Sequence, residues 1–239
     1  MQFAMPTSAE LRRYVQPLLA RHEDLGFAKR LIVVKPVRHF VCGILLDGTL
    51  PRDEFRPEYL VAELFAPNGR LPPMFGYPLC YSRHDASEYW SVLNPRALEF
   101  LIAEVEDKAL PTLRKITTLE GFYAYTSLPD EFTRQTIQYN PLRHAPVAAA
   151  LGDKELTQSI CRELASGNSP WTRPSLWDEA KPIVEELCPP VLAGDWAAVA
   201  ALLHRWEEAS VRKNKLASYW EPSPFPLELA GLDRAGASP

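Results

Sequence analysis

The stretch from Leu31 to Asp47, LIVVKPVRHFVCGILLD, constrains this chain more than any other. It is the most apolar and most β-branched run in the sequence, and Lys35, Arg38 and His39 are the only charged or imidazole side chains in its interior. Such a run has to be covered on both faces, and polar groups carried in with it must find partners or be put to use. The pattern predicts a central strand. Pro36 interrupts it, because proline donates nothing to a ladder and marks a bulge or an edge crossing. Asp47-Gly48 then supplies a turn.

The elements around this run follow from local signals. Thr7 to Glu10 reads T-x-x-E, a capping box, and Leu11, Tyr14, Val15, Leu18 and Leu19 follow on one face at helical spacing. The helix so predicted covers residues 8 to 22, kinks or restarts at Pro17, and ends before Gly26 as its left-handed C-terminal residue. Tyr59 to Phe65 predicts a second strand, closed by Pro67, Asn68 and Gly69. Residues 66 to 76 form a loop, and Tyr77 to Tyr81 a third strand, with connections short enough for an antiparallel meander. Asn94-Pro95 opens a helix that buries Leu98, Leu101, Ile102 and Val105 and is bounded by Pro111. Thr117 to Glu120 reads as another capping box.

From about residue 131 the strand-like runs give way to helical segments bounded by proline and glycine. Trp171, Trp177, Trp196, Trp206 and Trp220 all lie here. ALGDKEL at 150–156 and LAGDWAA at 192–198 echo one another, and in each the glycine can end one helix while the aspartate caps the next. The echo fits both a repeat and chance. Glu221 to Pro226, EPSPFP, cannot be helical through its interior, and GLDRAGASP reads as a loose tail. The expected fold class is α+β: a small, mainly antiparallel sheet with flanking helices over residues 1–130, then a helical region over 131–239 that either packs with it or stands apart.

Composition narrows the function. With 26 Lys plus Arg against 30 Asp plus Glu, the net charge of −4 gives no overall positive field, so nucleic acid is not an expected partner. The N-terminus lacks the continuous apolar core of a signal peptide, and no window approaches the roughly eighteen apolar residues of a membrane span. A cytoplasmic location is expected, without membrane association. Cys42, Cys80, Cys161 and Cys188 are widely spaced, with no CxxC pair, and read as free buried thiols of a reducing compartment. No metal and no cofactor are expected.

There is no glycine-rich phosphate loop, G-x-S-x-G, H-E-x-x-H or EF-hand pattern in the sequence. The candidate polar residues are therefore scattered. His39 can be a base or a ligand, or a core histidine whose ring nitrogens find partners. Arg38 can hold a carboxylate or phosphate, or simply face solvent in an ion pair. Adjacent strand residues point to opposite faces, so one pocket takes only one of the two. His84, Asp85 and Glu88 form a second cluster; His84 and Glu88 share a face if the segment is helical, as a metal pair would, yet no third ligand follows by spacing. The alternative there is a solvated turn with Asp85 or Ser87 as a cap. The C-terminal tryptophans form either an exposed aromatic groove or core.

The order KPVRHFVCGILLD, LFAP, FGYPL, YW, ALPTLRKI and GF over residues 30 to 125 resembles a group of bacterial proteins of unknown function, in which a P-x-x-H-x-x-R-G strand precedes similar elements. This chain has Cys42 where that pattern has arginine, so no polar role transfers to the position. The resemblance implies a partner of a secreted toxin or an accessory protein, and brings no catalytic residues with it. The expectation is a non-enzymatic protein-binding protein of the bacterial cytosol, in an immunity or adaptor role. The rival is a hydrolase or transferase of unfamiliar type with its pocket on the sheet, near His39 or His84.

Overall fold

The computed structural model describes residues 6–48, 53–69, 71, 77–79, 90–129 and 136–229. The fold is α+β, with a small antiparallel sheet and a helical C-terminal part. The chain divides into two compact units. The first comprises Met1–Ala62, Pro72–Thr117 and Asn214–Glu221; the second comprises Glu63–Leu71, Thr118–Lys213 and Pro222–Pro239. No helix among the described residues is long and apolar enough to cross a membrane.

In the first unit the capping box forms as expected. The Thr7 hydroxyl accepts from the Glu10 amide at 3.2 Å, and the Glu10 carboxylate accepts from the Thr7 amide at 2.7 Å, opening α1 (Ser8–Tyr14). The helix breaks at Val15 and restarts as α2 (Gln16–Arg21), with Pro17 in its first turn, where a missing N–H is no loss. Gly26 is not its left-handed end. The helix closes at His22 in extended backbone, and Gly26 lies inside β1 (Leu25–Ala28). Glycine is needed there for space, since a Cβ would stand 2.7 Å from the Tyr219 ring.

The central apolar run is two strands rather than one. β2 (Leu31–Val34) and β3 (Phe40–Gly48) pair antiparallel, with Ile32 opposite Ile44 and Val33 opposite Gly43. The ladder stops at Val34 because Pro36 has no N–H to extend it, and residues 35–39 carry the chain around so that the run covers itself. Ile32, Val33, Val41, Ile44 and Leu46 are fully buried, each adding about 1.5–3 kcal/mol of apolar transfer. Asp47 and Gly48, expected as a turn, are the last two residues of β3. β1 pairs antiparallel with β2 on its other side.

The second expected strand starts earlier than its sequence pattern, as β4 (Glu54–Glu63), and Pro67–Gly69 closes it in a 3-10 turn. β5 (Tyr77–Pro78) and β6 (Trp90–Ser91) both pair antiparallel with β4. The six described strands make one sheet in the order β1-β2-β3-β4-β5, with β6 off that path. Residues 80 and 81 of the expected third strand lie outside the described residues.

Asn94 caps α3 (Pro95–Glu104), its side chain accepting from the Arg96 amide at 3.1 Å. Pro111 does not end this helix. Val105–Ala109 form a π turn in which the Leu110 amide bonds to the Val105 carbonyl, and α4 (Leu110–Leu113) continues with Pro111 in its first turn. In an α-helix the proline ring would press on the carbonyl four residues back, and the wider turn makes room for it, although Pro111 still donates no hydrogen bond.

The second unit is helical. Thr118, not Thr117, caps α5 (Leu119–Thr126), accepting from the Gly121 amide at 3.1 Å. There follow α6 (Pro141–Leu151), α7 (Lys154–Ala165), α8 (Trp177–Pro182), α9 (Cys188–Ala193) and α10 (Trp196–Asn214). Both Gly-Asp pairs act as their sequence implies. Gly152 and Gly194 are left-handed, with φ of 81° and 73°, and end α6 and α9. Asp153 accepts from the Leu156 amide at 3.1 Å and Asp195 from the Ala198 amide at 3.0 Å, so each caps the next helix. A second π turn, Ile183–Leu187, precedes Pro189 and Pro190 and links α8 to α9.

The second unit also holds a buried ion pair. Arg143 donates through Nε to Glu63 at 2.7 Å and through Nη2 to the other carboxylate oxygen, and the Glu63 side chain is 1 % exposed. Breaking such a pair from one side leaves an uncompensated charge in the interior. Glu63→Ala is expected to cost about 3–5 kcal/mol in urea unfolding. In the first unit, a Cβ on Gly43 would collide with the Ile32 carbonyl oxygen across the ladder. Gly43→Ala is expected to cost about 1–3 kcal/mol by the same measurement, and an unchanged midpoint would mean that β2 and β3 are not held this close.

Candidate functional site

The turn after β2 places Lys35, Pro36 and Arg38 around a cavity of about 320 Å³ in the first unit. Val34, Phe40 and Cys42 line it from β2 and β3, and Leu113 and Ile116 from the end of α4 and just beyond, so it has an apolar floor under a charged rim. Phe40 and Cys42 are two residues apart on β3 and therefore share a face. Burial pushes the Cys42 thiol up to about 12, which leaves it a protonated apolar wall rather than a nucleophile.

Asp24 and Arg114 complete the rim. Arg114 donates through Nε and Nη2 to the two Asp24 oxygens, each at 2.8 Å, in the planar fork that suits a guanidinium and a carboxylate. The hydrogen bonds from Arg114 hold the Asp24 carboxyl below its ordinary range against the opposing effect of burial. The same Nη2 reaches His22 Nδ1 at 3.2 Å, and His22 Nε2 lies 3.0 Å from Glu106, which also takes Arg21 at 3.2 Å. All are satisfied together when Nδ1 accepts from the guanidinium and Nε2–H donates to Glu106. Both ring nitrogens are then engaged, and His22 acts as a strut that orients Arg114.

The structure separates the two polar residues at the turn. Arg38 lines the cavity and pairs with Glu221 at 3.4 Å. His39 is 6 % exposed and does not line it. His84, Asp85 and Glu88 lie outside the described residues, as does Cys80. The sequence gives no sign of Asp24 and Arg114, which are 90 positions apart and meet only through the fold. Lys35 was visible in the run, yet nothing local marks it as a rim residue.

Other groups with chemical potential sit in the second unit. His204 lies 2.8 Å from Glu228 and 3.5 Å from the buried Glu207, and its ring tilts on Phe225 at 4.6 Å between centroids. The i, i+3 spacing of His204 and Glu207 was the one sequence signal for this cluster. Cys161 and Cys188 are buried free thiols; the hydrogen bond between them, with burial, raises the Cys161 pKa. Trp206 is core, whereas Trp171, Trp177 and Trp196 are half-buried, with the Lys154 ammonium 5.3 Å from the Trp196 ring. Among the described residues no three His, Cys, Asp or Glu side chains are grouped to hold a metal ion.

In comparisons by sequence and by structure, no family model, no curated protein and no solved structure matches the chain.

His144 supplies a test of this electrostatic picture. It stacks on Tyr123 with the rings 13° apart and its Nε2 meets the Tyr123 hydroxyl at 3.1 Å, and burial lowers its pKa below the ordinary 6.5. As pH falls through 6.5 the unfolded chain takes up this proton before the folded one, so stability is full above that value and declines below it until the folded pKa is passed. His144→Gln is expected to flatten the fall in unfolding free energy over that window. An unchanged slope would show that His144 does not carry it.

Proposed function

We propose that the protein acts by binding another protein rather than by catalysis, in an immunity or adaptor role for a toxin or secretion system of a bacterial cytosol, and that the cavity at the proline turn receives an acidic residue of that partner. The observation that carries this reading is Lys35. It stands on the rim of the cavity, yet among the described residues its ammonium has no ion pair or hydrogen bond. Arg114 is already oriented by Asp24 and His22, so a carboxylate entering beside Lys35 would meet a rim that needs little rearrangement. The apolar floor suits the methylene stem or the neighbouring side chain of the same partner residue.

Two further features support a protein as the ligand. Leu128 and Tyr139 are 63 % and 67 % exposed in the second unit, on either side of the hydrogen bond from Gln138 to Ser127. Their chain neighbours are hydrogen-bonded to each other, and large apolar side chains left in water are surface that a protein partner can cover. The resemblance of the motifs over residues 30 to 125 to a group of bacterial proteins of unknown function, which implies a toxin partner or an accessory protein, motivates the same reading. The rival, a hydrolase or transferase with its pocket near His39 or His84, finds less support: His39 does not line this cavity, the rim carboxylate Asp24 is held in the fork of Arg114, and both nitrogens of His22 are engaged.

A photo-crosslinking residue at Thr117, on the exposed rim, tests this in the native cell. The expected result is one specific protein adduct, lost when Lys35→Glu is added while the circular dichroism is unchanged. Once the partner is identified, Lys35→Glu is expected to weaken it by tenfold or more, through like-charge repulsion. No specific adduct, or an adduct indifferent to Lys35→Glu, would overturn the reading.

A further inference from the structure

A second cavity of the first unit, about 780 Å³ in volume, is lined by Arg12, Lys29, Arg30 and Lys215 and, among the described residues, by no acidic one. In a chain of net charge −4 this is a concentration of one sign. Arg30 donates to the Pro6 carbonyl at 2.6 Å. Among the described residues none of these cations is in an ion pair, although ion pairs occupy Arg21, Arg38, Arg114 and Arg143 elsewhere. Like charges gathered in a concavity repel one another and raise the local concentration of anions, and an anion that enters relieves the repulsion.

The backbone adds an independent sign. Among the described non-glycine residues, φ is positive at Lys29 and Lys215, at 55° and 58°. Lys29 is the first of the two residues that link β1 to β2, and Lys215 follows the end of α10. A left-handed residue is useful at both places, but glycine or asparagine adopts it far more readily than lysine. The chain places lysine at both, and both line the same cavity. Left-handed backbone kept on a side chain that the turn does not need is the kind of strain that marks functional positions.

We propose that this cavity is a binding site for a diphosphate group carried on a small molecule. A single carboxylate would answer one of the cations; a diphosphate spreads several negative charges over oxygens that guanidinium forks and ammonium groups both bind well. The volume lies within the range of small-molecule sites. Tyr219 gives the remainder of the ligand a wall: its hydroxyl accepts from the Phe27 amide at 3.1 Å and donates to the Phe27 carbonyl at 3.3 Å, which fixes the ring at the cavity beside Phe27 and Ala28. This site goes beyond the protein-binding reading and does not depend on it.

Titration calorimetry on the whole protein tests the site with inorganic diphosphate, a nucleoside diphosphate and citrate. Inorganic diphosphate is expected to bind with a Kd below about 1 mM at low salt and to weaken as salt screens the exposed cations. A tighter nucleoside diphosphate would assign the ligand an organic body on the Tyr219 wall, and equal affinities would assign the anion alone; both outcomes support the site. Lys29→Gly with Lys215→Gly is expected to weaken binding tenfold or more without lowering the melting temperature, because glycine relaxes both left-handed residues. Arg12→Gln, an exposed change on α1, is expected to weaken it as well, while Lys35→Glu leaves it unchanged and so separates this site from the other cavity. No binding of diphosphate at millimolar concentration, equal binding of citrate, or a glycine double variant that binds like the parent would each overturn the proposal.

Discussion

Pro36 has no amide hydrogen, and the first unit is arranged around that missing donor. Because the ladder cannot run through it, the most apolar stretch of the chain is folded into β2 and β3 and buries itself, Ile32 against Ile44 and Val33 against Gly43. The tight approach at Gly43 depends on the same reversal, since only a residue without a side chain fits beneath the Ile32 carbonyl. The turn lifts Lys35 and Arg38 out of a run that would otherwise have had to hide them, and sets both on the rim of a cavity. One absent hydrogen-bond donor thus decides the pairing of the strands and the position of two cations.

Charge in this protein is informative by its distribution rather than its sum. The net value of −4 argues against a long-range positive field, yet the first unit gathers four cations that have no ion pair among the described residues in one concavity and sets Lys35 on the rim of another. Its other charges are arranged to satisfy one another, as in the fork of Arg114 on Asp24 and the strut through His22 to Glu106. The second unit buries its strongest pair, Glu63 with Arg143, and leaves apolar Leu128 and Tyr139 in water. Groups that are satisfied internally hold the structure, and those left over are where ligands are to be sought.

What could be read from the sequence was local. The capping box at Thr7, the Asn94-Pro95 start and the two Gly-Asp pairs are decided within four or five residues, and each forms as its chemistry implies. At Gly26 a glycine needed for space beside Tyr219 looks the same in sequence as one needed for a left-handed turn. The central run reads as one strand in sequence because periodicity cannot show that an apolar stretch is its own partner. The α+β class was legible, whereas the cavity rims were not: Asp24 and Arg114, or Lys29 and Lys215, are joined only by tertiary structure, and no local pattern connects them.

The two π turns have a consequence for how the helices meet the core. Ala97, Leu101, Val105, Ala109 and Leu113 are all buried at intervals of four residues, as are Ile183, Leu187 and Val191. On an α-helix each such step overshoots by about 40°, so a stripe of this length would drift around the cylinder and out into water. A π turn takes up more residues per revolution and cancels part of the drift, keeping one face in phase with the core from α3 into α4 and from the second π turn into α9. In both helices the apolar residue at every fourth position continues past a proline, and the underwound turn lies just before that proline.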